Sequence, residues 1–136
     1  MLNNKLLNKL IFFSAYHLIH NNILIGFIHK HLIKKFYYKN YIFNLQNLKL
    51  PLKCYSSFFF KTYEFNDRIL IEKNLSKKNK CIIIGGGIGF ISVLSYFLTK
   101  NTVVVFETNK ELIKNLRSNL FINRCKFSLY QKNLKI

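Results

Sequence analysis

The sequence predicts an α/β fold of parallel strands alternating with helices, and three features of residues 80–109 predict it. The first is Cys81–Ile84, an uncharged, β-branched run too short for a helix, which reads as a strand buried on both faces. The second is the cluster Gly85, Gly86, Gly87 and Gly89 that follows directly. Glycines there let the backbone turn sharply and approach a ligand with no Cβ atoms in the way. The third is a second apolar strand, Thr102–Phe106, which ends in a lone carboxylate, Glu107. Between the strands, Ile88–Thr99 reads as a short apolar helix.

Glu107 lies 107 − 85 = 22 positions after the first glycine. A carboxylate that grips a ribose is expected roughly 20 positions on. Its two oxygens match the two donors of a ribose. The unit is therefore read as a site for an adenosine-containing cofactor. A dinucleotide fingerprint, G-x-G-x-x-G, would need glycine at position 90, where Phe90 stands. That third glycine normally lets helix and strand pack closely beneath a pyrophosphate. The spacing G-x-G-x-G is met in full by Gly85, Gly87 and Gly89, and it resembles the first motif of S-adenosylmethionine-dependent methyltransferases. GGGIG after an apolar strand also occurs in flavoproteins, so FAD or NAD stays open at this point.

The residues after Glu107 narrow the choice. Thr108 or Asn109 can cap a helix, Glu111 suits its first turn, and Leu112, Ile113, Leu116 and Leu120 share one face. Lys126–Tyr130 then reads as a third strand. This order, an acid-x-Asn turn, a helix and an Asn-rich link, resembles the FkbM-like methyltransferases. Upstream, the stretch 50–75 resembles that family's lead-in: a short strand region, the pair Tyr63-Glu64, then a helix. The resemblance covers roughly residues 50–134. It implies a partial Rossmann-like methyltransferase sheet, the first three parallel strands with their helices, and S-adenosyl-L-methionine as cofactor. It further implies methyl transfer to a hydroxyl of a small molecule, sugar or glycan. Gly85, Gly87 and Gly89 would cradle the cofactor, Glu107 would accept from the ribose, and Asn109 would hold the turn beside the adenine. Tyr63 and Glu64 would approach the amino-acid end, and Phe90 is read as a core residue of the helix. Two positions depart from the family pattern: Ile83 stands where an acid is usual, and Thr108 where a proline is usual. No catalytic base is identified.

Length bounds the reading. A chain of 136 residues ending after the third strand resembles the N-terminal portion of such an enzyme, incomplete and inactive alone. The strands that would pair on the other side of Cys81–Ile84 are then missing, and that edge is expected to expose apolar side chains. The rival readings are an FAD- or NAD-binding oxidoreductase fragment and a non-catalytic remnant.

Residues 1–48 read as a helical, basic, apolar appendage, and residues 49–136 as the domain portion, with Pro51 near the boundary. The net charge is +17, and residues 1–62 carry nine Lys and no acid. Such a field attracts nucleic acid or anionic membranes. The basic residues are scattered rather than gathered on one face, so nucleic acid is not expected as a partner. Leu10–Ile28 is uncharged over 19 residues, yet His17, His20, Asn21 and Asn22 fall at its centre. It is read as a helix pair broken near Asn21-Asn22, packed on the domain or lying on a membrane surface, with a true span as the third alternative. His17, His20, His29 and His31 lack companion Cys or acidic ligands, and no metal is expected. Cys54, Cys81 and Cys125 have no C-x-x-C spacing, which points to reduced thiols in a cytoplasmic protein, with peripheral membrane contact as the variant.

Overall fold

The structure is a computed structural model and describes residues 22–131. Contacts divide the chain into two compact units, Met1–Ile33 with Leu50–Tyr63, and Lys34–Lys49 with Glu64–Ile136. The run Leu10–Ile28 lies mostly outside the described residues, as do His17 and His20. Among the described residues no helix is long and apolar enough to cross a membrane.

The first unit contains helices α1 (Ile23–Leu32) and α2 (Leu52–Phe59). The Asn22 side chain caps α1, its Oδ1 accepting from the Ile25 N–H at 3.1 Å. This places the start of a helix where the sequence reading puts its break. Pro51 occupies the N-cap of α2. A proline there costs no helical hydrogen bond, because the first N–H groups are unpaired anyway. The lead-in is thus a helix where the sequence reading expected a strand region. Tyr55 and Phe58 bury their rings, so burial of this face outweighs the strand preference of the aromatic residues. The two helices meet at Gly26, where a Cβ would collide with the Leu52 carbonyl.

His29 is buried in that contact, its ring centroid 6.1–6.4 Å from those of Tyr55, Phe58 and Phe59. Its Nδ1 has no hydrogen-bond partner, and burial holds the imidazole below its usual protonation range. The consequence for stability has a definite sign. Above about pH 6.5 both folded and unfolded imidazoles are neutral. Below it the unfolded chain takes up a proton that the folded one resists, so stability falls until the folded pKa is passed. Urea unfolding between pH 7.5 and 5 should show this decline, and His29→Leu should flatten it. An equal slope in that variant would assign the effect elsewhere.

The second unit begins with a hairpin, β1 (Lys35–Tyr38) and β2 (Tyr41–Asn44), paired antiparallel with Phe36 opposite Phe43. The sequence reading placed these residues in a helical appendage. Their period-2 pattern wins, because Phe36 and Phe43 both turn onto Phe90, with ring centroids 5.7 and 5.2 Å away. Next come α3 (Phe65–Asn74), β3 (Cys81–Ile84), α4 (Phe90–Thr99), β4 (Val103–Phe106), α5 (Lys110–Ile122) and β5 (Phe127–Tyr130). Strands β3, β4 and β5 form a parallel sheet in that order, with Cys81 beside Val103 and Val103 beside Phe127. This α/β arrangement is a partial Rossmann-like fold.

Among the described residues one sheet face is buried, and the other is exposed at β3. Val103 and Val105 are fully buried, and Val105 lies close enough to Gly86 and Leu116 that a Cβ at Gly86 would strike both. On the opposite face Ile82 and Ile84 are 69% and 71% exposed. Cys81–Ile84 is therefore not buried on both faces as its apolar run predicts. Two crossovers stepping in one direction along the sheet, each right-handed, put α4 and α5 on the same side. Among the described residues the outer edge of β3 pairs with no strand.

Candidate cofactor site

The glycine turn leaves the C-terminal end of β3 in a conformation that only glycine adopts readily. Gly85, Gly87 and Gly89 have φ of 76°, 56° and 90°, all in the left-handed region. The G-x-G-x-G spacing is thus matched position for position by backbone geometry. Gly85 and Gly86 donate their N–H groups to the Phe106 carbonyl at 2.8 and 3.1 Å, tying the turn to the end of β4. Gly85 has nothing within 4 Å of where its Cβ would stand, so that side of the turn is open. Gly86 and Gly89 do the opposite work, allowing the turn to press against Leu116 of α5. Phe90 is buried and points to the hairpin, with Tyr38 also edge-on to it at 5.3 Å. It is a core residue, as its place in the sequence suggested.

Glu107 follows β4 and is only 6% exposed. Its Oε1 accepts from the Thr108 and Asn109 N–H groups at 2.7 and 2.8 Å, and its Oε2 from the Gly87 N–H at 2.8 Å. A carboxylate has about four lone-pair sites. Three are therefore taken by the chain's own backbone, and one remains on Oε2. Asn109 caps α5, its Oδ1 accepting from the Glu111 N–H at 2.9 Å. The turn that Glu107 and Asn109 share is held from within the chain.

A groove of about 510 Å³ runs along the outer edge of β3 to Gly85 and Gly86. Leu70 and Ile71 of α3, with Leu75 at its C-cap, form the apolar wall, and Ile91 and Ser95 of α4 also line it. Glu64 and Asp67, at the start of α3, also line it. Glu64, with φ of 48°, is thus brought into the same groove as Gly85, whereas Tyr63 belongs to the first unit, its ring 4.3 Å from that of Phe58. Gly87, Gly89, Glu107 and Asn109 do not line the groove. Asp67 is the residue that sequence reasoning passed over. Its place one turn beyond Glu64 on a predicted helix was the available signal.

A second feature was also missed. Asn115, Asn119 and the C-cap Asn123 form one stripe along α5, and their amides bond the outer edge of β2 and Gln46 just beyond it. Asn123 accepts from the Ile42 N–H at 3.0 Å and donates to the Ile42 carbonyl at 2.7 Å. Asn119 accepts from the Asn44 N–H at 2.6 Å and donates to the Ile88 carbonyl of the glycine turn at 2.9 Å. Asn115 donates to the Gln46 carbonyl at 3.0 Å. Four helical residues rise about 6 Å, and two strand residues about 6.7 Å, so the two repeats run nearly in step. Each amide stands in for the backbone of a missing neighbouring strand.

Two of the three thiols, Cys81 and Cys125, are held toward the protonated, unreactive form. Burial pushes Cys125 up to about 12, and burial also raises Cys81, partly offset by its hydrogen bond with Ser95. Among the described residues no three His, Cys, Asp or Glu side chains gather as metal ligands.

No family model matches the chain, and no curated protein matches it. Among solved structures it is similar to a "putative transferase" from Pyrococcus horikoshii, with 17% identity and a TM-score of 0.48. The alignment covers 68% of this chain and 32% of that one, so the chain spans about a third of that protein's length. A likeness of this degree carries no inference about activity.

Proposed function

We propose that the second unit is the cofactor half of an S-adenosylmethionine-dependent O-methyltransferase of the FkbM-like kind, acting on a hydroxyl of a sugar, glycan or small molecule. The observation that carries the reading is the run of left-handed glycines, Gly85, Gly87 and Gly89, beside the buried carboxylate of Glu107. The open side of Gly85 accommodates a close-fitting ligand, and Oε2 of Glu107 keeps one acceptor site for a ribose hydroxyl. Glu64 in the groove beside Gly85 suits the cationic amino-acid end of the cofactor. When bound, the cofactor supplies an electrophilic methyl group. The chain's part is to hold and align it, and alignment is the main demand of an in-line displacement.

The dinucleotide alternative is weaker on one specific ground. The close helix–strand approach beneath a pyrophosphate is made here by Gly86 and Gly89, while Phe90 is committed to the aromatic core. Phe90→Gly would hollow that core, so it is not a clean test of dinucleotide binding.

Calorimetric titration with S-adenosylhomocysteine, with NAD and FAD as controls, tests the proposal. Saturable binding of the nucleoside alone is the expected result. Binding of NAD or FAD instead would transfer the site to an oxidoreductase. A folded chain that binds none of the three would remove the enzymatic reading.

A further inference from the structure

We propose that α1 is an interfacial helix that seats this chain on an anionic lipid surface. Its inner side is occupied: Gly26 presses on Leu52, and His29 is buried among the rings of α2. At 100° per residue, Ile23, Leu24, Phe27, Ile28 and Leu32 fall on the opposite half of the helix, with His31 among them, its ring 4.4 Å from that of Phe27. All five are exposed, Leu24 by 67%, Phe27 by 53% and Leu32 by 76%. Single exposed apolar residues are ordinary, whereas a contiguous apolar face marks a surface made for contact.

Charge selects the partner. Residues 1–62 carry nine lysines and no acid, and Lys30 lies on α1 itself. Lys34 and Lys35 follow α1 directly in the sequence, and the first acid of the chain is Glu64. A largely apolar face with Lys30 at its margin, in a stretch of chain without acids, matches the boundary between anionic headgroups and acyl chains. The length of α1 fixes its posture. Ten residues rise about 15 Å, half of the ~30 Å hydrocarbon core, so α1 lies in the interface plane. This inference stands apart from the cofactor reading.

The test uses the full chain, which contains no Trp, so Phe27→Trp adds a single tryptophan that can be excited apart from the tyrosines. With vesicles of phosphatidylcholine and phosphatidylglycerol, its emission should shift to the blue and be quenched by brominated acyl chains. Vesicles of phosphatidylcholine alone should give a much smaller response. Co-sedimentation of the unmodified chain provides the second readout. Leu24→Gln with Leu32→Gln, both at exposed positions, should weaken binding to the anionic vesicles at least about tenfold. Phe121→Gln, equally exposed on α5, should leave it unchanged. No blue shift on anionic vesicles would overturn the proposal. Undiminished sedimentation of the Leu24/Leu32 variant would overturn it as well, reducing the effect to adsorption of a chain of charge +17.

Discussion

Glu107→Ala is expected to lose about 3–5 kcal/mol of folding stability with no ligand present, because three backbone N–H groups lose a charged acceptor. Small domains have about 5–15 kcal/mol in total, so this is a large share. The reason lies in the bonding of the carboxylate: Gly87 on one oxygen, Thr108 and Asn109 on the other. Glu107→Gln separates charge from shape. Its amide oxygen can still serve Thr108 and Asn109, but its NH₂ group then faces the Gly87 N–H, donor against donor. A loss of about 2–3 kcal/mol follows for this variant. Urea unfolding of the free proteins measures both. If both variants kept full stability and lost only nucleoside affinity, the carboxylate would be a ligand group and not a tie. The result expected is loss of stability first. A grip on both ribose hydroxyls would require the glycine turn to release Gly87, since one acceptor site on Oε2 serves one hydroxyl.

Asn119→Leu should cost a similar amount, about 3–4 kcal/mol, although leucine keeps the branched heavy-atom skeleton of the side chain it replaces. Asn119 is fully buried, and its removal leaves the Asn44 N–H and the Ile88 carbonyl without their partner. Burying an unpaired donor or acceptor costs about 1–3 kcal/mol each. Amide hydrogen exchange gives the local readout: the Ile42 and Asn44 amides should lose protection together with the glycine turn. A change below about 1 kcal/mol would mean that water replaces the amide at no penalty, and the stripe would then be incidental.

Much of the second unit was legible in the chain. Cys81–Ile84, the glycine turn, α4, β4, α5 and β5 appear in the expected order, with boundaries moved by one or two residues. These elements rest on local rules. A short β-branched run makes a strand, left-handed turns demand glycine, and Leu116 and Leu120 at helical spacing are both fully buried. The hairpin β1–β2 and helix α2 were not legible, because aromatic residues such as Phe36, Phe43, Tyr55 and Phe58 fit either element. Their state depends on what covers them: Phe90 for the hairpin, and α1 for α2.

The same division runs through the candidate site. Sequence alone determined that Gly85, Gly87 and Gly89 would turn the chain and that one carboxylate would stand at the next strand's tip, since both follow from spacing. Only the tertiary structure decided that Glu107 spends most of its acceptor sites on Gly87, Thr108 and Asn109. It also decided that Asn119 joins the hairpin to the glycine turn, and that one face of β3 stays bare. Those outcomes depend on which polar groups and surfaces meet across long stretches of chain. A buried N–H must find an acceptor wherever folding brings one, and no local pattern names it in advance.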